Sequence, residues 1–166
     1  MFTAAVLAAV ALPAAAPAVA ATPARTIVLD DVAKQTATWS FDQGTGFLLD
    51  ALVADHAPCT QVAQTCDFTL VKIEGLTPGD LAIQTSTTDQ TLVDIDTYIY
   101  ESDKDGTQGS ELTVANSGSP NETASTAVEP DHYYLVKVAY MTGEGAYKGD
   151  ATFTPYVPDP EDDSGE

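Results

Sequence analysis

Carboxylates are the side chains of this sequence with the clearest chemistry. Asp94, Asp96, Asp103 and Asp105 stand close together in Asp94-Ile-Asp-Thr-Tyr-Ile-Tyr-Glu-Ser-Asp-Lys-Asp-Gly106. Hard oxygen donors of this kind suit calcium, and these four are the candidate ligands of such an ion. The helix-flanked calcium loop is not matched. With Glu101 first, Asp103, Asp105 and Gly106 take positions three, five and six, but Leu112 holds position twelve and Glu111 arrives one residue early. A polar hairpin with Asp-Gly turn chemistry accounts for the same residues. Asp94 and Asp96 are unusual for a strand, where Asp is depleted. They read either as solvent-facing acceptors at a strand entrance or as cation ligands together with Asp89 or with acidic residues of another loop. Paired carboxylates also serve glycoside hydrolysis at a separation of roughly 5 to 10 Å, a distance that two positions along one strand meet by default.

Other reactive side chains are few. Cys59 and Cys66, the two cysteines, are separated by Thr-Gln-Val-Ala-Gln-Thr and read as a disulfide closing a small loop. A redox pair would have two intervening residues, and a zinc site would need more His or Cys. The two histidines, His56 and His132, show no metal spacing and no nucleophile arrangement. Neither a nucleophile elbow nor a phosphate-binding glycine loop occurs. Asn121-Glu-Thr123 has the form of a glycosylation acceptor. The expectation is a non-enzyme.

The elements that must position these residues are strands. In a strand, successive side chains point to opposite faces, so Asp94, Asp96, Tyr98 and Tyr100 share one face while Ile95, Thr97 and Ile99 share the other. Short segments rich in Thr, Val, Ile, Tyr and Phe, punctuated by Gly, Pro, Asp and Ser, predict an all-β antiparallel sandwich. Eight strands are expected, at 36–41, 67–74, 80–85, 94–101, 111–115, 122–128, 133–140 and 147–155. Arg25-Thr-Ile-Val-Leu-Asp30 is a further candidate strand. Thr77-Pro-Gly-Asp80 and Gly143-Glu-Gly145 read as turns. Phe47-Leu-Leu-Asp-Ala-Leu-Val-Ala54 fits helical spacing about as well as strand spacing. Trp39 and Tyr98, Tyr100, Tyr133, Tyr134, Tyr140 and Tyr147 are assigned mainly to the core.

The organisation along the chain follows from composition. Residues 1–20 are apolar and uncharged, end in Ala18-Val-Ala20 and read as a secretory signal peptide; Pro13 and Pro17 argue against a membrane span. Residues 21–34 form a leader, 35–155 the sandwich, and 156–166 a disordered acidic tail. With 166 residues and 44% hydrophobic content, one packed domain is expected. The formal charge of −19, from 25 acidic against 6 basic residues, excludes nucleic acid and anionic membrane surfaces as partners. Solubility in an extracellular medium and attraction of cations both account for that charge.

Three segments together resemble the bacterial pre-peptidase C-terminal domain. Asp94-Ile-Asp-Thr-Tyr-Ile-Tyr100 is similar to that family's Asp-x-Asp-x-Tyr-x-Tyr strand, Ser102-Asp-Lys-Asp-Gly106 to its acidic turn, and Tyr133-Tyr-Leu-Val-Lys-Val138 to its late Tyr-Tyr-x-Val-x-Val strand. The resemblance implies a jelly-roll sandwich associated with calcium, one that serves secretion, substrate attachment or the stability of a neighbouring catalytic domain. The functional expectation is therefore a secreted, monomeric, non-catalytic binding or surface-interaction module, with calcium as the candidate ion ordering its loops. Its partner would be an extracellular glycan, peptide or protein. Two alternatives stand beside it: a small secreted hydrolase of polysaccharide or peptide using paired carboxylates, and a structural cell-envelope protein.

Overall fold

A computed structural model of the chain describes residues 22–46, 66–87 and 93–157. The expected signal peptide, the ambiguous segment beginning at Phe47, His56, Cys59, Asp89 and nearly all of the acidic tail lie outside the described residues. Eight strands are present: β1 (Arg25–Asp30), β2 (Gln35–Gly46), β3 (Cys66–Glu74), β4 (Gly79–Thr87), β5 (Asp94–Ser102), β6 (Gln108–Ala115), β7 (Asn121–Val128) and β8 (His132–Pro155). The described residues contain no helix. The architecture is the all-β sandwich that alternation predicted, with strands in the order β1-β3-β8-β5-β6 in one layer and β2-β8-β4-β7 in the other.

Two features of this arrangement differ from the sequence reading. Arg25–Asp30 is an edge strand that pairs in parallel with β3, from Arg25 opposite Thr69 to Asp30 opposite Glu74, while every other pairing is antiparallel. The segments 133–140 and 147–155 are one strand, and Gly143-Glu-Gly145 is a corner inside it instead of a hairpin turn. Before the corner β8 pairs with β3 and β5; after it, with β2 and β4. Gly143 (φ 76°) and Gly145 (φ 149°) supply backbone conformations that other residues adopt at a cost. The backbone ladder continues through the bend because Gly44, Thr45 and Gly46 of β2 stand opposite Gly145, Glu144 and Gly143. Glycines permit turns and bends alike, and the pairing partner that decides between them lies about a hundred positions away.

The core lies between the layers. Val71, Ile73, Ile95, Ile99, Val136 and Val138 face Leu81, Ile83, Ala124, Ala151 and Phe153, all almost wholly buried. Each large aliphatic or aromatic side chain taken from water here contributes about 1.5 to 3 kcal/mol before entropy is counted. While β1 and β6 at its sides stay largely exposed, the first layer also buries the centre of its outer face. There Leu70, Tyr98, Tyr100, Leu135 and Ala139 form a second apolar cluster, packed by Phe68, Val114 and Met141. Consequently β5 and β8 are buried on both sides through Ile95–Tyr100 and Tyr134–Tyr140, as central strands covered on both faces are. The second layer's outer face is the opposite. It is a polar surface of Thr36, Thr38, Ser40, Gln84, Thr123 and Ser125, all exposed.

Candidate functional site

The four candidate cation ligands are divided between two places. Asp94 and Asp96 open β5, whereas Asp103 and Asp105 lie in the turn beyond its far end at Ser102. At about 3.3 Å per residue, the strand holds the two pairs on the order of 20 Å apart. Among the described residues no group of three or more His, Cys, Asp or Glu side chains is arranged to hold a metal ion.

Asp96 is 6% exposed and shares the outer face of the first layer with Tyr98 and Tyr100. It is therefore a buried group and not a solvent-facing acceptor. The Tyr98 hydroxyl donates to Asp96 Oδ2 at 3.1 Å, and the Tyr98 and Tyr100 rings stack at 6.1 Å and 12°. Lys137, opposite Tyr98 on β8, places its ammonium 4.0 Å from the Tyr98 ring centre and 5.6 Å from that of Tyr100. Such cation–π contacts are worth about 1 to 2 kcal/mol when desolvated. Burial pushes the Asp96 carboxyl up to about 6, with Asp94 and Glu122 adding to the rise and the Tyr98 bond opposing it. Burial likewise raises Asp94, helped by Glu122, and lowers Lys137. The buried Tyr100 hydroxyl is shifted upward by burial and then by Glu111.

The turn from β5 to β6 is organised by one side chain. Asp103 Oδ1 accepts from the backbone N–H of Asp105 (2.8 Å) and of Thr107 (3.0 Å), and Gly106 N–H donates to Asp103 O at 3.2 Å. Those bonds, that from Thr107 foremost, hold the Asp103 carboxyl below its ordinary range. Asp105 pairs with Lys104 at 2.9 Å, and both side chains are exposed.

Two further clusters carry no local sequence motif. Inside the sandwich, Arg25 reaches from β1 to Asp67 and, at 2.9 Å, to Thr69 Oγ1. Asp67 also accepts from the Tyr147 hydroxyl, which in turn accepts from Trp39 Nε1 at 3.0 Å. Burial and then Asp67 raise the Tyr147 hydroxyl well above its ordinary value. This chain of bonds ties β1, β3, β8 and β2 together, and each group has its partner, as buried polar groups require.

The other cluster is at the end of the sandwich where β1 leaves and β4 begins. Leu76 is 92% exposed and Val32 85% exposed, each at the tip of a turn. Both turns are pinned by neighbouring aspartates. Asp31 Oδ2 accepts from Leu76 N–H (2.8 Å) and Thr77 N–H (2.9 Å), joining the two turns, while Asp30 Oδ1 accepts from Val32 N–H (3.1 Å) and from Gln35. Gly75, at φ 123°, leaves the space that the Asp31 carboxyl fills; a Cβ there would stand 2.2 Å from Asp31 Cγ. Beside them Tyr156 N–H donates to Pro78 O (2.9 Å) and the Tyr156 hydroxyl to Asp80 Oδ1 (2.9 Å), so Tyr156 and the exposed Val157 join the same end. The signal in the sequence is a large aliphatic residue within turn chemistry, as in Gly75-Leu-Thr-Pro-Gly79 and Asp30-Asp-Val-Ala33.

Cys66 begins β3 opposite Ala139, and Cys59 lies outside the described residues. His132 hydrogen-bonds through Nδ1 to Pro130 O at 2.8 Å, a local contact at the start of β8. No helix of the described residues is long and apolar enough to cross a membrane.

No family model matches the sequence, and no curated protein does. Among solved structures, the chain is similar to the pre-peptidase C-terminal domain of a collagenase from Bacillus anthracis, with 12% identity over 76% of this chain and 93% of that one and a TM-score of 0.43. It is also similar to PliG of Aeromonas hydrophila, a periplasmic inhibitor of g-type lysozyme, with 7% identity over 78% of this chain and 98% of that one and a TM-score of 0.38. At these scores neither likeness carries the argument, and the sandwich rests on the strand pairings described above.

Proposed function

We propose that this protein is an exported, non-catalytic binding module that engages a macromolecular partner through the end of the sandwich bearing Val32 and Leu76. The observation that carries this reading is the pair of fully presented aliphatic side chains on turns whose backbones are already hydrogen-bonded into place. Covering one such side chain contributes about 1.5 to 3 kcal/mol. Little ordering entropy opposes it, because the turns are set before the partner arrives. Export is supported by the signal-like residues 1–20. Against hydrolysis, Asp96 is enclosed by Tyr98 and its neighbours, where a substrate oxygen does not reach it.

The test is an array screen of glycans, peptides and extracellular proteins with the full-length chain and its Leu76→Ser variant. A partner that the variant binds at least about tenfold more weakly, without being cleaved, is the expected result. Turnover of the bound ligand, or binding indifferent to Leu76 and Val32, overturns the reading. Calcium at the Asp103 turn is a second reading, resting on the oxygen donors that the sequence gathers at Asp103 and Asp105. It predicts a rise in Tm with millimolar calcium that Asp103→Ala abolishes, as for any ligand of the folded state; an unchanged Tm overturns it.

A further inference from the structure

The apolar tips do not stand alone. Around them the strand ends place Asp30, Asp31, Glu74, Asp80, Glu129 and Asp131, since Asp30 pairs with Glu74, Ile73 with His132, and Gly79 with both Val128 and Pro155. Lys72 is already engaged by Glu74 at 2.7 Å and Asp131 at 3.9 Å, Lys104 of the adjoining β5–β6 turn is engaged by Asp105 at 2.9 Å, and Lys34 is the remaining lysine of this end. Glu74 and Asp131 keep side-chain exposures of 49% and 81%. The Leu76 and Thr77 N–H groups hold the Asp31 carboxyl below its ordinary range, so its charge persists into acid. The result is aliphatic tips inside a ring of carboxylates, on a chain whose formal charge is −19.

Resting on the binding reading above, we propose that the partner docked at this end is a cationic polypeptide segment, its Lys or Arg side chains set against the carboxylate ring and an apolar side chain against Leu76 and Val32. Charge complementarity selects this class. An anionic bilayer or a nucleic acid would be repelled by the ring, and an uncharged apolar surface would leave it desolvated and unpaired. The half-exposed Tyr156 ring offers an additional face for an approaching cation.

The experiment uses the isotopically labelled full-length chain and follows backbone amide shifts on titration with a lysine–leucine repeat peptide. Comparison arms are the peptide with Glu for Lys, the peptide with Ser for Leu, and neutral phosphatidylcholine vesicles. The expected result is saturable binding of the lysine–leucine peptide, with shifts centred on residues 30–34, 74–80 and 156–157. Binding should weaken about tenfold when salt rises from about 0.05 to about 0.3 M. It should weaken by a similar factor in the Val32→Ser/Leu76→Ser protein and severalfold in Glu74→Gln/Asp131→Asn, whose spectra otherwise superimpose on the parent. Equal binding of the glutamate peptide or of vesicles overturns the cationic partner while leaving the binding end intact. Failure of the lysine–leucine peptide to bind overturns the inference alone, provided that Leu76→Ser still abolishes a partner found in the array screen. Shifts confined to the polar outer face of the second layer overturn both readings.

Discussion

Asp96 sits buried beside Tyr98 with its carboxyl lifted from an ordinary 3.8 to about 6, and burial is the chief cause. A carboxyl raised in this way binds its proton more tightly in the folded state, so between about pH 4 and pH 6 the folded chain holds more protons than the unfolded one. Stability therefore falls as pH rises through that window, by roughly 2 to 3 kcal/mol from this group. Asp96→Asn keeps an acceptor for the Tyr98 hydroxyl and removes the buried charge. It is expected to stabilise the protein by about 1 to 3 kcal/mol at neutral pH and to flatten the slope between pH 4 and 6, as read by urea unfolding across pH. Asp94, raised by the same cause, leaves a smaller slope of the same sign. Tyr147 behaves differently, because its hydroxyl is both donor and acceptor in a buried chain. Tyr147→Phe leaves Trp39 Nε1 and one side of Asp67 without their partner and should cost about 1 to 3 kcal/mol in the same measurement.

At the scale of elements, the β1–β2 and β3–β4 turns are held to each other by one side chain, the Asp31 carboxylate. Asp31→Ala removes the acceptor shared by Leu76 and Thr77 N–H. The expected outcome is faster hydrogen exchange at these two amides with the β3 and β4 cores unchanged, and weaker partner binding with Leu76 still present, since preorganisation is what is lost. Gly75→Ala forces a side chain into a conformation of φ 123° and against Asp31, and should destabilise by roughly 1 to 3 kcal/mol in thermal unfolding. The turn chemistry at Thr77-Pro78-Gly79 was legible from residue types, as was the Asp-Gly turn that Asp103 organises. The joining of the β1–β2 and β3–β4 turns by Asp31 was not. The carboxylate and the amides it caps are separated by 45 and 46 positions. Likewise Gly143 and Gly145 announced a change of direction, but only the long ladder to β2 makes it a corner within one strand.

Over the whole molecule, β1 is stitched to the sandwich by Arg25, whose guanidinium meets Asp67 and Thr69. Arg25→Ala leaves a buried carboxylate without its cation and is expected to cost roughly 3 kcal/mol, measured as a fall in the unfolding midpoint. The surface divides by accessibility: among the described residues the central strands β5 and β8 are buried on both faces, whereas the second layer's outer face, the flanking strands β1 and β6 and the loop ends are exposed. Most strand positions, their alternation, the acidity of the chain and the carboxylates worth inspecting were legible in the sequence, because period-two patterning, turn preference and charge are properties of neighbours along the chain. The expected strand at 94–101 already set Asp94 and Asp96 a strand's length from Asp103 and Asp105; the packing of distant segments was needed to enclose Asp96 while displaying Leu76, and to join Arg25, Asp67, Tyr147 and Trp39 in one network. Burial and convergence are set by which distant segments pack together: Arg25 and Asp67 are 42 positions apart, and Asp67 and Tyr147 are 80 apart.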